Sequence, residues 1–132
     1  MTESSANWTV ITGSTGGIGS EITKILAAKG TDLILVNRSA TKAAAQRDEL
    51  LNQHPSLRIE TLTADLMDTA QINAATEEIA ALPGRIDALY NNSGVLTADR
   101  TLSAQGFESQ FAVNTLAPYQ LIKNLRPKMV RD

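Results

Sequence analysis

The chain has 132 residues, and its 12 basic and 14 acidic side chains give a formal net charge of −2. This length is typical of one domain, and a hydrophobic share of 42% is that of a globular protein and excludes a disordered tail. The charge excludes the strongly basic surface that binds nucleic acids, and the absence of cysteine with a single histidine excludes disulfides and thiolate or multi-histidine metal sites.

The predicted elements alternate between strands and helices along the chain. The strands are short apolar runs, and they cover residues 8–12, 32–37, 57–64 and 86–90. The helices cover residues 17–29, 40–53 and 68–82, and a last one is expected from about residue 103 to the end. Strands that are apolar on both faces and alternate with helices predict a parallel sheet with helices on both faces. We therefore expect a single α/β domain over residues 1–132.

Local signals set the bounds of three helices. In the first helix, the residues that share one apolar face are Ile18, Ile22, Ile25 and Leu26. Gly30 closes this helix, and Pro55 ends the second. Asp68, followed by Gln71 three residues later, is the capping box that begins the third helix.

A glycine-rich turn, TGSTGGIG over residues 12–19, joins the first strand to the first helix. Glycines let the backbone turn sharply and approach a pyrophosphate, which the N–H groups and dipole of the helix N-terminus then receive. No lysine follows, as it does in the loop that binds nucleoside triphosphates. The glycines could instead serve only a tight turn, but their place between strand and helix favours a dinucleotide.

The second strand ends in Asn37-Arg38-Ser39, where a dinucleotide site carries its ribose selector. A carboxylate that would accept from the adenosine 2′-hydroxyl of NAD is missing there. The Arg38 guanidinium, with Asn37 and Ser39 beside it, suits a 2′-phosphate instead, and Thr15 and Lys42 can add to that pocket. A solvated surface arginine is the alternative, but the missing carboxylate favours NADP(H).

Three further stretches complete a pattern. Asp65-Leu66 follows the third strand, NNSG at 91–94 follows the fourth, and FAVN at 111–114 lies in the last helix. With the glycine turn they closely resemble the short-chain dehydrogenase/reductase family over residues 7–130, and most of all its retinol dehydrogenase and NADP-dependent carbonyl reductase branch. The resemblance implies a Rossmann-like fold and an oxidoreductase that transfers hydride between NADP(H) and a small alcohol or carbonyl substrate.

The resemblance also implies one cofactor site. Around the pyrophosphate it places the turn residues Gly13, Ser14, Thr15, Gly17, Ile18 and Gly19. At the adenosine end it places Asn37, Arg38, Ser39, Asp65 and Leu66, and on the ribose and nicotinamide side Asn92, Ser93 and Gly94. The family usually has alanine at the position of Ser93, and both residues are small.

Asn114 matches the asparagine of the family's catalytic tetrad, whose backbone carbonyl holds a water in a proton relay. Pro118 lies four residues later and has no N–H for the usual helical bond to the Asn114 carbonyl. The sequence therefore predicts that this carbonyl can accept from a water. An ordinary proline kink is the alternative, both can hold together, and a regular helix through 114–118 would contradict the idea.

The family's other catalytic residues, a serine and a Tyr-x-x-x-Lys pair, follow the asparagine by several dozen positions and are absent here. Tyr119 and Lys123 have the pair's spacing, but they directly follow Asn114 in the same helix, so we do not interpret them as catalytic. We expect the fold to be truncated after the fourth strand and its following helix, incomplete relative to the family.

Three functions are open: the cofactor half of an NADP(H)-dependent oxidoreductase, inactive alone; a standalone NADP(H)-binding module; and an assembly protein without nucleotide. An unpaired fourth strand and an apolar surface formed by Leu116, Leu121, Ile122 and Leu125 predict a homo-oligomer.

No apolar run approaches the ~20 residues of a membrane span. Residues 1–8 lack a secretory signal, so we expect a cytoplasmic protein without a membrane partner.

Overall fold

The computed structural model describes residues 7–94 and 101–129, where strands and helices alternate as predicted. The strands are β1 (Asn7–Thr12), β2 (Asp32–Asn37), β3 (Ile59–Thr63) and β4 (Arg85–Tyr90). The helices are α1 (Gly17–Ala28), α2 (Ala40–Gln53), α3 (Thr69–Ala81), α4 (Ser109–Phe111) and α5 (Ala117–Met129), with a π-helical turn, Ala112–Leu116, between the last two. The expectations for residues 1–6, for the loop at 95–100 and for the helix end at 130–132 lie outside the described residues.

The sheet is parallel throughout, in the order β3-β2-β1-β4. The chain moves outward from β1 through β2 to β3 and then crosses to the other side of β1 to form β4. Open parallel sheets bind ligands at the carboxyl ends of their strands where the order reverses in this way. The topology therefore places a candidate site at the carboxyl ends of β1 and its neighbours.

Two apolar clusters cover the two faces of the sheet, which confirms the predicted helices on both sides. One face packs against α3 and α5, and its most buried members are Val10, Ile34, Val36, Ile72, Ile79, Leu121 and Leu125. The other face packs against α1 and α2, and its members include Ile11, Ala27, Leu33, Leu35 and Leu50. Successive residues of β2 alternate between the clusters because side chains of a strand point to opposite faces.

The apolar face predicted for α1 is partly wrong. Ile18 and Ile25 are 73% and 56% exposed, and the buried residues of the helix are Gly19, Thr23 and Ala27. A Cβ on Gly19 would lie 2.0 Å from the carbonyl oxygen of Gly13, so the helix approaches the glycine turn through its small residues. Ile22 and Leu26 do pack against the apolar cluster as predicted, so the inward side of α1 combines them with the small residues that fit against the turn.

The last helix begins at Ser109, later than the predicted start near residue 103. Residues 101–108 instead form a tight loop: Gly106 has a φ of +86°, and the N–H of Ser103 donates to the carbonyl of Phe107. The Glu108 carboxylate then caps the helix by accepting from the N–H groups of Gln110 and Phe111. A glutamate in the capping position is a weak signal, so the boundary was missed.

The predicted apolar surface on this helix is divided between core and solvent. Leu121 and Leu125 are buried against the sheet, Leu116 is half-buried, and Ile122 is 51% exposed. Polar side chains one turn apart on α5 hold it along α3, since Gln120 and Asn124 both donate to the side chain of Asn73. Among the described helices, none is both long and apolar enough to cross a membrane.

Candidate functional site

A cavity of about 640 Å³ opens at the carboxyl ends of the strands. The residues predicted for the cofactor that line it are Gly13, Thr15, Gly17, Ile18, Asn37, Arg38, Ser39, Asp65, Leu66, Asn92, Ser93 and Gly94. Lys42, expected beside Arg38, lines it too, and the structure adds Gly16, Val36, Ala64, Met67 and Val113. Four stretches far apart in sequence therefore meet at one cavity, because each follows a parallel strand.

The glycine turn is shaped by two different requirements. Gly13 and Gly17 have φ values of +65° and +53°, which side chains disfavour. A Cβ on Gly13 would lie 2.7 Å from the Ser93 hydroxyl, whereas Gly16 and Gly17 have nothing within 4 Å of that position. Gly13 and the buried Gly19 thus pack inward, and Gly16 and Gly17 leave open space at the cavity.

This open side coincides with the N-terminus of α1. Gly16 precedes the helix and has no side chain to accept from the first N–H groups. Such a helix end, approached by glycines, is the arrangement that receives phosphate in dinucleotide sites. The turn therefore fits a pyrophosphate on geometric grounds.

The end of β4 is tied directly to the glycine turn. The Thr12 hydroxyl accepts from the N–H groups of both Asn92 and Ser93, each at 3.1 Å. The side-chain amide of Asn92 donates to the Gly13 carbonyl at 3.1 Å. Asn92 therefore lines the cavity and also joins two strands. Thr12 was missed as a site-building residue, although it directly precedes the first glycine.

Ser14 lies beneath the turn and does not line the cavity. It is fully buried, and its hydroxyl donates to the side-chain oxygen of Gln46 at 2.8 Å and accepts from the Asn37 amide at 2.9 Å. Gln46 also donates to the Ser14 carbonyl at 2.7 Å. Sequence reasoning missed Gln46, because its only signal is a place on α2 one turn after Lys42.

Two exposed cations, Arg38 and Lys42, stand at one end of the cavity. Ser39 between them caps α2, since its hydroxyl accepts from the Lys42 N–H at 3.2 Å. Within the described residues neither cation forms a salt bridge. This end of the cavity is therefore positive and suits a phosphate, and the Ser39 hydroxyl has a structural use as well.

Asp65 and the residues after it line the cavity beside the end of β2, where the Ala64 N–H donates to the Asn37 carbonyl at 3.0 Å. One Asp65 carboxylate oxygen accepts from the Met67 N–H at 3.0 Å, and the Asp65 N–H donates to Gln71 at 2.8 Å. The predicted capping box is thus rearranged, because Gln71 accepts from Asp65 and not from the N–H of Asp68. Hydrogen bonds from Gln105 and Gln71 lower the pKa of Asp68, which caps α3.

Asn114 does not line the cavity, but its side-chain oxygen would lie 3.4 Å from a Cβ on Gly94. The helix around it is irregular: it lies in the π-helical turn, and the Ala117 N–H donates to Ala112, five residues back. The outcome that would contradict the proline argument, a regular helix through 114–118, is therefore not seen. That a water donates to the Asn114 carbonyl stays a prediction.

Tyr119 and Lys123 lie outside the cavity. Tyr119 is 63% exposed, Lys123 is exposed, and neither lines the cavity. Their placement agrees with the interpretation that they are not a catalytic pair. Within 7–94 and 101–129, no three His, Cys, Asp or Glu side chains are grouped to hold a metal ion.

Comparisons with known proteins agree with this geometry. The sequence model of the family described as short chain dehydrogenase matches residues 7–132. The chain is 33% identical over 120 residues to the chloroplastic short-chain dehydrogenase TIC 32 A of Brassica napus, over 91% of this chain and 38% of that protein. It is 34% identical over 123 residues to the oxidoreductase fscI of Fusarium equiseti, over 91% of this chain and 48% of that protein.

Solved structures share the fold. A short-chain dehydrogenase from Sphingobium yanoikuyae in complex with NADPH has a TM-score of 0.77 and 31% identity, and the match covers 92% of this chain and 47% of that one. A metagenomic short-chain oxidoreductase in complex with NADP has a TM-score of 0.81 and 30% identity, over 97% and 58%. The chain spans between 38% and 58% of the length of these relatives. The family match over nearly all its residues, joined to the parallel fold and the glycine turn, shows that this chain belongs to the short-chain dehydrogenase family.

Proposed function

We propose that this chain is the cofactor-binding part of an NADP(H)-dependent oxidoreductase acting on a small alcohol or carbonyl substrate. The observation that supports it best is one cavity with a glycine-lined helix N-terminus and the cations Arg38 and Lys42 at one end. A dinucleotide with a 2′-phosphate carries negative charge at two separated points, and the cavity offers a matching group for each.

The residues present fit this cofactor. Gly16 and Gly17 leave open space where a pyrophosphate would approach α1, while Asp65 and Leu66 face the adenosine end. Ser93 and Gly94, at the end of β4, would lie beside the nicotinamide. When bound, the nicotinamide would supply or accept the hydride, and this chain's residues would hold and orient the dinucleotide.

Asn114 would act at the nicotinamide end. Its proximity to Gly94 and the irregular helix around it support the proposal that its backbone carbonyl holds a water for proton transfer. An amide oxygen that accepts from water can fix that water's orientation and so the path of a proton.

Calorimetric titration of the purified chain with NADPH and NADH tests the cofactor proposal. We expect NADPH to bind at least about tenfold more tightly, because charge-assisted hydrogen bonds to a phosphate are strong. Equal affinities, tighter NADH binding or no binding of either would contradict it. Oxidation of NADPH with a panel of aldehydes and ketones then separates an active oxidoreductase from a module that only binds.

A further inference from the structure

A network of hydrogen bonds lies beneath the glycine turn and joins Ser14 to Asn37 and to Gln46. Ser14 is 0% exposed and Asn37 is 5% exposed, so the bond between them forms in the protein interior. Gln46 is half-buried, and its two bonds to Ser14 are partly shielded from water. Their three distances lie between 2.7 and 2.9 Å. Hydrogen bonds shielded from water are electrostatically strong, and their partners polarise one another.

The direction of every hydrogen bond in this network follows from one carbonyl. The Ser14 carbonyl can only accept, so Gln46 must turn its NH₂ group towards it and its oxygen towards the Ser14 hydroxyl. The hydroxyl proton goes to that oxygen, and the hydroxyl lone pair must then accept from the NH₂ group of Asn37. Each amide therefore has one permitted orientation.

This order leaves the side-chain oxygen of Asn37 buried without a hydrogen-bond partner among the described residues. A buried acceptor without a partner is unfavourable and uncommon in native structures, and such exceptions concentrate at functional sites. The fold thus keeps the hydrogen bonds to Ser14 and leaves one buried acceptor, the Asn37 oxygen, without a partner among the described residues.

The three residues connect the two phosphate-binding walls of the cavity. Ser14 lies between Gly13 and Thr15 in the turn, Asn37 directly precedes Arg38, and Gln46 follows Lys42 by one turn of α2. The Gly13 N–H donates to the Val36 carbonyl at 2.9 Å. The side-chain bonds of Ser14 add a second link between the turn and the Arg38 side of the cavity, and Gln46 holds Ser14 in place.

We propose that Gln46 is a positioning residue for cofactor selectivity, acting through Ser14 and Asn37 to place the glycine turn and Arg38 so that a pyrophosphate and a 2′-phosphate are held together. The inference rests on the proposed NADP(H) function. A ligand without the 2′-phosphate contacts only one of the two walls, so their spacing matters much less to it.

The test is titration of Gln46→Met with NADPH and NADH, with Gln53→Met as the matched control on the exposed side of α2. Methionine keeps the length of the side chain and loses both bonds. We expect the Kd for NADPH to rise about tenfold and that for NADH to change less than about twofold. The control should leave both values unchanged. The same contrast is expected between 2′,5′-ADP and 5′-AMP.

A second variant keeps the test decisive if Gln46→Met does not fold. Ser14→Ala removes the hydroxyl at the centre of the hydrogen-bond network and should lower the selectivity for NADPH over NADH by a similar factor. Because the residues act as a unit, Ser14→Ala in the Gln46→Met background should add little further loss.

The outcomes separate the two proposals. If the unaltered chain binds neither dinucleotide, the proposed function fails. If it prefers NADPH and Gln46→Met keeps that preference, or weakens both dinucleotides equally, the positioning inference alone is wrong. A loss of selectivity in Gln46→Met and Ser14→Ala, with the Gln53→Met control unchanged, supports it.

Discussion

Arg38 and Lys42 meet the cavity where the second strand ends and α2 begins. Lysine presents a point charge, whereas the guanidinium of Arg38 can bind a phosphate through two parallel hydrogen bonds. At the scale of single residues, the choice between the two dinucleotides thus depends chiefly on Arg38.

Arg38→Asp should reverse the preference. The carboxylate repels a 2′-phosphate and can accept from the 2′-hydroxyl of NADH, so NADPH should lose about 100-fold in affinity and NADH should gain. Calorimetry with both dinucleotides measures this. Arg126→Asp, an exposed change on α5 outside the cavity, is the matched control. An unaltered NADPH affinity in Arg38→Asp would show that Arg38 does not hold the phosphate.

Substitution by alanine should destabilise the fold at Gly19 and leave its stability almost unchanged at Gly16. Gly19→Ala places a Cβ 2.0 Å from the Gly13 carbonyl and should destabilise the fold by about 1–3 kcal/mol. Gly16→Ala meets nothing within 4 Å and has an extended φ of −146°, so it should change stability by less than about 0.5 kcal/mol. Urea unfolding followed by the fluorescence of the single tryptophan, buried Trp8, measures both.

At the scale of elements, helix ends that carry strong local signals were predictable and the others were not. Gly30 follows α1, Pro55 follows α2 and Asp68 caps α3 as the sequence predicts, since caps and breakers act through neighbouring residues. The start of the last helix was missed because Glu108 caps it after a loop that Gly106 closes.

The candidate site was also predictable in part, where local motifs carry the signal. The motifs predicted most of the cavity wall, because the carboxyl ends of parallel strands meet at one edge. Thr12 and Gln46 were missed, since their bonds join residues 80 and 32 positions apart. The inward side of α1 was predicted only in part: Ile22 and Leu26 pack inward, whereas Ile18 and Ile25 are exposed. Periodicity does not report that Gly19 must fit against a carbonyl.

The cap of α3 should make stability depend on pH. The lowered pKa of Asp68 means that its folded state favours the carboxylate, so its stabilisation is present above the ordinary value of 3.8 and is lost as the pH falls through the lowered pKa. Asp68→Asn keeps a capping oxygen and removes this charge. Its urea midpoint should therefore lie below that of the unaltered chain at pH 7 and approach it in acid. A difference that stays constant with pH would contradict this assignment.

At the scale of the whole molecule, α4, α5 and the loop before α4 present exposed apolar side chains: Phe107, Phe111, Tyr119 and Ile122. Beside them, β4 pairs only with β1 in the described part of the chain. Exposed apolar patches and strand edges promote association. We therefore propose that the chain self-associates through this side.

Ile122→Lys should shift the chain towards the monomer in light scattering. Ile122 is 51% exposed, so the change should alter stability by less than about 0.5 kcal/mol. Ile25→Lys is the control, because Ile25 is 56% exposed on α1 at the opposite face of the sheet. A monomeric unaltered chain, or an equal effect of the two substitutions, would contradict association through α5.

The N–H groups of Asn92 and Ser93 donate to the Thr12 hydroxyl across 80 and 81 residues, and these bonds tie β4 to β1. A chain emerging from the ribosome has its glycine turn long before the residues that fix it. If the chain binds a nucleotide as proposed, that binding would require β4 to have paired with β1. The cofactor, once bound, would stabilise only chains in which these two strands have met.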